Sequence, residues 1–270
     1  MLGKGPYPRS ALRQLDDKRL GELLAQGRLI RVAHGWYAQP TTPLAATRAV
    51  KLGGRLGCLS ACKEYGLWVP PHSDLHVLLI PGANTPHTSG VQFHRIAHPC
   101  MTAVASLEAS ITQVFHRHGA ENGLVVLESA VNQRKLSLAD ANYILSTIPL
   151  PAKRGIKHFN PKAHSGSETR LRLFFQRRNI PVEPQAPIAG VGHVDLLVGR
   201  SWILEADSAL FHSSVKDVAR DCERDLIARQ QGYIPDRLSY QQIWVQWEQT
   251  IRWLEAMVKT RRHLRAPKPL

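Results

Sequence analysis

Gly192-His193-Val194-Asp195-Leu196-Leu197-Val198 is followed after three residues by Trp202-Ile203-Leu204-Glu205-Ala206-Asp207, and His212 comes five residues later. The two apolar runs flank Gly199-Arg200, which predicts two short strands joined by a two-residue turn. Burying an unpaired charge costs free energy, so a core strand has no structural use for these acids. Acids grouped in this way typically bind a divalent metal through oxygen ligands.

The alternation of side chains along each strand predicts where the acids point. It places Asp195 on the face of Leu197, and it places Glu205 on the face of Ile203 and Asp207. Neighbouring antiparallel strands can then bring Asp195 close to Glu205. Two adjacent carboxylates repel each other unless a cation neutralises them, so we expect a cation here.

The charge of the chain indicates a polyanionic partner. The 270 residues carry a formal net charge of +14, with a pI of about 10.1. Residues 1–150 contribute +6 and residues 151–270 contribute +8, so the excess is spread over both halves. A field of this kind is expected of nucleic-acid binding. We therefore expect DNA as the partner, most of all duplex DNA.

Other composition features exclude some classes of protein. No apolar run approaches the length of a membrane helix and no secretory signal is visible, which predicts a cytoplasmic protein without membrane contact. Cys58 and Cys62 lie one helical turn apart with no second pair, which is typical of small core residues rather than of a zinc ribbon. His116 and His118, beside Arg117, are typical of capping or solvated residues more than of ligands.

Composition and pattern divide the chain into regions. Prolines, glycines and basic residues mark a linker over 151–166, which separates residues 1–150 from an α/β unit over 163–270. Within 1–100, a helix capped by Asp16 or Asp17 and a hairpin around His34-Gly35 predict a winged helix. Residues 101–150 are predicted to be helical. The basic residues expected to contact nucleic acid are Lys18, Arg19, Arg28 and Arg31.

Several motifs in the N-terminal region resemble the N-terminal domains of AbiEi-type antitoxins. They are Gly27-Arg28-Leu29-Ile30-Arg31-Val32 with Gly35-Trp36-Tyr37, Ser60 to Pro70, His76 to Pro81, and Val91 to Arg95. The likeness covers about residues 9–100. In that family such domains regulate transcription of toxin–antitoxin operons. No Asp- or Lys-rich toxin segment follows in this chain.

The C-terminal hairpin, with its acid–x–acid end, resembles the PD-(D/E)XK nuclease core. The resemblance implies that Asp195 is the first motif acid, Glu205 the second and Glu168 the helix acid, with Asp207 where lysine is usual. Glu205-Ala206-Asp207 with His212 is more similar to very short patch repair (Vsr)-like endonucleases, over about residues 163–257. Two departures are Ser208 in place of glycine and Pro235 inside a strand.

The resemblance implies metal-assisted hydrolysis of a phosphodiester. Asp195 and Glu205 would hold Mg²⁺ or Mn²⁺ against a phosphate oxygen. His212 would act as general base or acid, although a helix-start role is an alternative. Arg224 would clamp the phosphate, or form a helical ion pair with Asp221. Glu168 is either a site acid or a residue that caps a helix with Ser165.

The expected fold class is α/β (α+β), with an N-terminal winged helix, a mixed α/β region and a restriction-endonuclease-like α/β/α core. The leading hypothesis is a metal-dependent DNA endonuclease. The alternative is a transcriptional regulator or antitoxin whose nuclease fold is inactive. Convergence of the acids favours the enzyme, and internal neutralisation by Arg220 or Arg224 favours the regulator. Action on RNA and formation of a homodimer stay open.

Overall fold

The computed structural model describes residues 5–79, 82–85, 87–95, 100–149, 158–207 and 215–269, with the backbone alone for residues 207 and 215–218. The chain divides into two compact units, Met1–His118 and Gly119–Leu270. Both units combine helices with small sheets, which confirms the predicted α+β class. Among the described residues, no helix is long and apolar enough to cross a membrane.

The N-terminal unit begins with the predicted helix and hairpin. Its first elements are the strand β1 (Tyr7–Pro8), a 3₁₀ helix (Arg9–Leu12), the helix α1 (Asp17–Ala25) and the strands β2 (Ile30–Ala33) and β3 (Trp36–Ala38). The Asp16 carboxylate accepts the Arg19 N–H at 2.7 Å and so caps α1. Strand β3 pairs antiparallel with both β1 and β2. The buried side chains of this module are Tyr7, Leu12, Leu20, Leu29 and Tyr37.

A second sheet in this unit has the strand order β4-β5-β6. The elements are α2 (Leu44–Lys51), β4 (Arg55–Leu56), α3 (Cys58–Glu64), β5 (Leu75–Leu79) and β6 (Val91–Arg95). Strand β5 is antiparallel to β4 and parallel to β6, with His76 opposite Gln92 and Leu78 opposite His94. Leu75, Val77 and Leu79 pack in one core cluster with residues of α2, which leaves the alternate residues of β5 on the opposite face.

The two units meet in sequence within α4 (Leu107–Asn132), whose backbone leaves helical geometry at Gly119 (φ 80°). The sequence placed the main boundary at 151–166, of which 151–157 lie outside the described residues. Residues 119–149 instead group with the C-terminal unit. A physical reason is the buried contact of Glu128 on α4 with Arg172, at 2.6 Å.

The C-terminal unit contains one four-stranded sheet, in the order β10-β9-β8-β7. Its elements are α5 (Leu138–Thr147), α6 (Gly166–Gln176), β7 (Val182–Ile188), β8 (Gly192–Val198), β9 (Trp202–Asp207), α7 (Val215–Gln230), β10 (Ile234–Ser239), α8 (Tyr240–Trp244), α9 (Trp247–Lys259) and a 3₁₀ turn (Arg262–Leu264). Strands β7, β8 and β9 are successively antiparallel, whereas β10 returns through α7 to pair parallel with β9.

The two faces of this sheet follow the predicted alternation. Leu196 and Leu204 pack in a core cluster with side chains of α6, while Leu197 and Ile203 pack in another with Ala228 of α7. Pro235 lies in β10, which is an edge strand. A proline is tolerated there because one side of an edge strand needs no ladder hydrogen bonds.

Candidate functional site

Asp195 and Glu205 lie side by side on the adjacent strands β8 and β9, as their spacing predicted. The strand register pairs Leu196 with Leu204, and its continuation places the two acids opposite each other. The backbone N–H of Asp195 donates to Glu205 Oε2 at 3.1 Å. The N–H of Ala206 donates to Asp195 Oδ2 at 2.9 Å. These reciprocal bonds hold the two carboxylates in place.

Glu168 joins this group through Gln185, a residue that the sequence analysis did not select. Gln185 Nε2 donates to Glu168 Oε2 at 3.0 Å and lies 3.4 Å from Asp195 Oδ1. Ser165 caps α6 by accepting the Glu168 N–H at 3.1 Å. The Glu168 carboxylate, however, accepts the N–H of His164 at 3.3 Å. Glu168 therefore begins a capped helix and also presents its carboxylate to the acid group.

Burial and the charge of a neighbouring acid raise the pKa values of Glu205 and Glu168. Burial, followed by the charge of Asp195, raises the pKa of Glu205 from 4.5 to about 7. The same two causes raise the pKa of Glu168, against hydrogen bonds from Gln185, Ser165 and His164 that lower it. Raised carboxylate pKa values with identifiable causes are typical of functional sites.

Arg224 of α7 is the arginine that the structure places against Glu205. Its Nη2 is 3.4 Å from Glu205 Oε1, which is a weak contact. The same guanidinium donates at shorter distances to the carbonyls of Val191 (2.9 Å) and His193 (2.8 Å). The hydrogen bonds described for Asp195 come from neutral N–H groups. The acid pair is thus only weakly compensated by the arginine.

Some predicted site residues lie outside the described part of the chain. His212 and Ser208 belong to residues 208–214, and Asp207 is described only as the last backbone position of β9. Asp221, the alternative partner of Arg224, lies 3.9 Å from it. A closer partner of Asp221 is Arg237, at 3.2 Å, and Arg237 also pairs with Asp225 at 3.0 Å.

Apart from Arg224, the basic residues predicted for nucleic-acid binding are exposed in the N-terminal unit: Lys18 and Arg19 on α1, Arg28 before β2 and Arg31 on β2. Arg19 pairs with Glu22 at 2.7 Å, and Arg31 Nη2 is 3.5 Å from His34 Nδ1. The surface of the helix and hairpin therefore carries these four cations beside the acids Asp16, Asp17 and Glu22.

A second group of side chains, which sequence reasoning missed, could hold a metal ion. Cys58, His76, His94 and His118 each offer one ligand atom, and these four atoms lie within 4.8 Å of one another. The sequence instead predicted that His118 caps a helix or faces solvent, and that Cys58 is a small core residue. Among the described residues, the acids around Glu205 do not form a group whose ligand atoms all lie this close together. The signal in the sequence was a histidine within each of two short strands, His76 in Leu75–Leu79 and His94 in Val91–Arg95.

No family model matches the chain, and no curated protein matches it significantly. Among solved structures, the crystal structure of the RV2827C protein from Mycobacterium tuberculosis is similar over 63% of this chain and 75% of that chain. The sequence identity is 17% and the TM-score is 0.30. Similarity at this level assigns neither a fold nor a function.

Proposed function

We propose that this protein is a metal-dependent endonuclease that hydrolyses phosphodiester bonds of DNA. The observation that carries the proposal is the pair Asp195 and Glu205, held together by backbone hydrogen bonds although their charges repel. A fold has no structural need for a buried Glu205 beside a half-buried Asp195. Their presence is reasonable when a cation or a phosphate-bound metal completes the site.

The donor atoms fit a hard divalent cation. Asp195 and Glu205 offer carboxylate oxygens, and Glu168 offers a further carboxylate nearby. Mg²⁺ is typically bound through one or two carboxylates together with water and substrate phosphate. The residues that would hold Mg²⁺ or Mn²⁺ are therefore Asp195 and Glu205. When bound, the metal would stabilise charge on the phosphoryl group and lower the pKa of a bound water.

The other residues of the group would position the acids and attract the substrate. Gln185 links Glu168 to Asp195, which orients both carboxylates. Arg224 is fixed by two backbone carbonyls, so its charge is available close to Glu205 without a tight internal ion pair. The net charge of +14 favours a polyanion. Lys18, Arg19, Arg28 and Arg31 would contact the DNA backbone, and His212 would serve as acid or base.

A plasmid cleavage assay tests this function. Purified protein is incubated with supercoiled and linear DNA in Mg²⁺, in Mn²⁺ or in EDTA. We expect metal-dependent nicking that falls at least about 100-fold in Asp195→Asn and in Glu205→Gln. Glu183→Gln is the matched control, because Glu183 is exposed on the neighbouring strand β7. Cleavage that survives in both site variants would exclude this proposal.

The contact of Arg224 with Glu205 favours a second candidate, a DNA-binding transcriptional regulator whose nuclease fold is inactive. This candidate predicts salt-dependent DNA binding without cleavage in either metal. Binding would then be unchanged in Glu205→Gln and weakened when Lys18 and Arg31 are both replaced by alanine. Mismatched or modified DNA belongs in the same assay, because an enzyme of narrow specificity would leave ordinary plasmid intact.

A further inference from the structure

Two parallel strands place a pair of histidines on one face of the N-terminal sheet. In the β5–β6 register, His76 is opposite Gln92 and Leu78 is opposite His94, so His76 and His94 share a face. Both side chains are buried, at 1% and 7% exposure. Their rings are nearly parallel, at 14°, and His76 Nδ1 lies 2.8 Å from His94 Nε2. For this contact to be a hydrogen bond, one of the two nitrogens must carry the hydrogen and the other must accept it, so the two tautomers must match.

His118 approaches this pair from the helix α4. Its ring centroid is 5.0 Å from that of His76 and 6.3 Å from that of His94. His118 is the last residue before the break at Gly119, so its backbone position is set by the end of a helical segment. His116, two residues earlier, is exposed. Of the two histidines in this stretch, only His118 belongs to the group.

Cys58 completes the group from the start of α3. It is fully buried, and its backbone has φ 51°, in the left-handed region that residues with a Cβ rarely adopt. The preceding Gly57 donates its N–H to the carbonyl of His76 at 3.1 Å. The first turn of α3 is thereby tied to β5 beside the histidine. Such backbone strain at a buried thiol indicates that its position is constrained by more than packing.

Among the described residues, His76 Nε2 is buried and has no hydrogen-bond partner. The other ring nitrogen of His76, Nδ1, faces His94. An unsatisfied buried nitrogen is costly and needs an explanation.

We propose that Cys58, His76, His94 and His118 bind one Zn²⁺ in a tetrahedral site with a structural role. One thiolate and three imidazoles are donors that suit Zn²⁺ and do not suit Mg²⁺. Zinc bond lengths imply distances of about 3.3–3.6 Å between tetrahedral ligand atoms. The four ligand atoms already lie within 4.8 Å of one another, so side-chain shifts of about 1 Å would bring them to these distances. On binding, Cys58 Sγ releases its proton to solvent as the sulfur–zinc bond forms.

Four protein ligands leave no open position, which separates this site from a catalytic one. The ion would connect α3, the sheet strands β5 and β6, and the end of a segment of α4 within the N-terminal unit. Metal binding of this kind contributes directly to folding free energy. The role is independent of the proposed nuclease activity, which uses other residues and another class of metal.

Elemental analysis and cobalt substitution of the full chain, without an affinity tag, test this proposal. We expect about one zinc per chain in the purified protein and in Cys62→Ala and His116→Ala. We expect less than a tenth of that in Cys58→Ala and His118→Ala. Cys62 and His116 are matched controls because each is the residue of the same type nearest in sequence to the one replaced and lies outside the group.

A titration of the wild-type apoprotein with Co²⁺ does not depend on the folding of any variant. We expect one equivalent to give tetrahedral ligand-field bands and a thiolate-to-cobalt charge-transfer band, and Zn²⁺ to displace both. Removal of zinc by a chelator should lower the Tm by more than about 5 °C, and zinc should restore it. A stable protein that contains no zinc, and whose apo form shows no thiolate–cobalt band, would overturn the proposal.

Discussion

Glu128 and Glu205 are both buried glutamates of the C-terminal unit, but their environments are opposite. Glu128 is fully buried and accepts two bonds from Arg172 Nη2, at 2.6 and 2.7 Å. Thr169 and the Asn160 N–H donate to it at 2.6 and 2.8 Å. Glu205 instead faces another acid, Asp195, and has a 3.4 Å contact with Arg224.

The contrast separates a structural acid from a functional one. Every contact of Glu128 satisfies its charge, so removing one partner should destabilise the fold. The contacts of Glu205 leave a repulsion uncompensated, so removing its charge should stabilise the fold while activity is lost. Strain of this kind is expected where selection acts on activity at some cost in stability. The predictions below test this difference.

The largest effect is expected at the structural pair. Arg172→Met leaves Glu128 buried without its cation and should lower the free energy of unfolding by about 3–5 kcal/mol. Arg177→Met is the control, because Arg177 pairs with Glu121 at 2.6 Å on a partly exposed surface. Its loss should be at most about 1 kcal/mol. Urea unfolding gives both values, and equal losses would contradict the structural role of Glu128.

Glu205→Gln should have the opposite sign. Burial and Asp195 raise the pKa of Glu205 in the folded state from 4.5 to about 7. The protonated side chain therefore makes its full contribution to the free energy of unfolding below pH 4.5. That contribution is lost as the pH rises through about 7. At pH 8 in EDTA, the variant should therefore be more stable than wild type by about 1–2 kcal/mol.

The measurement is urea unfolding of wild type and Glu205→Gln at pH 5 and at pH 8. As the pH rises from 5 to 8, the free energy of unfolding of wild type should fall relative to that of the variant. A variant that is less stable at pH 8 would mean that Glu205 is satisfied within the fold, as Glu128 is.

Arg224→Gln measures how far this arginine neutralises the acid pair. Its main bonds go to the Val191 and His193 carbonyls, so we expect a loss of about 1 kcal/mol from these bonds alone. A loss of 3 kcal/mol or more would make Arg224 the counterpart of Arg172 and would favour the inactive regulator. Urea unfolding in EDTA and the plasmid assay on the same sample distinguish the two results.

Asp236→Asn should have the smallest effect. Asp236 accepts the Trp202 Nε1–H at 2.9 Å, so its partner is neutral, unlike those of Glu128 and Glu205. Burial raises its pKa, and this hydrogen bond lowers it. Asparagine keeps the acceptor and removes the buried charge, so stability at pH 7 should change by less than about 0.5 kcal/mol, towards higher stability. Thermal unfolding measures this change. A loss of more than about 0.5 kcal/mol would show that the charge itself is needed.

The sequence predicted the elements whose signals are local. Asp16 and Gly27 mark the two ends of α1, and Gly35 marks the hairpin turn. Asp195 and Glu205 are ten residues apart on strands joined by a tight turn, so alternation and register were enough to place them together. Local propensity and short-range register need no knowledge of the remaining chain.

Contacts between distant residues could not be predicted in this way. Gln185 lies near Asp195 only because β7 pairs with β8, and nothing near Gln185 in sequence indicates a site. His76 and His94 meet through the parallel pairing of β5 with β6, and Cys58 and His118 join them from two distant helices. Parallel pairing has no turn that fixes its register, so the group lacks the regular spacing of known metal motifs.

The close approach of Gly57 to β5 has a consequence for sequence variation. A Cβ on Gly57 would lie 2.3–2.6 Å from Leu78 Cγ and both of its Cδ atoms. The backbone of Gly57, with φ −149°, is one that any residue adopts, so space alone restricts this position. In a library randomised at both positions, the residue at 57 should therefore covary with the residue at 78. Alanine at 57 should be recovered only together with a smaller side chain at 78.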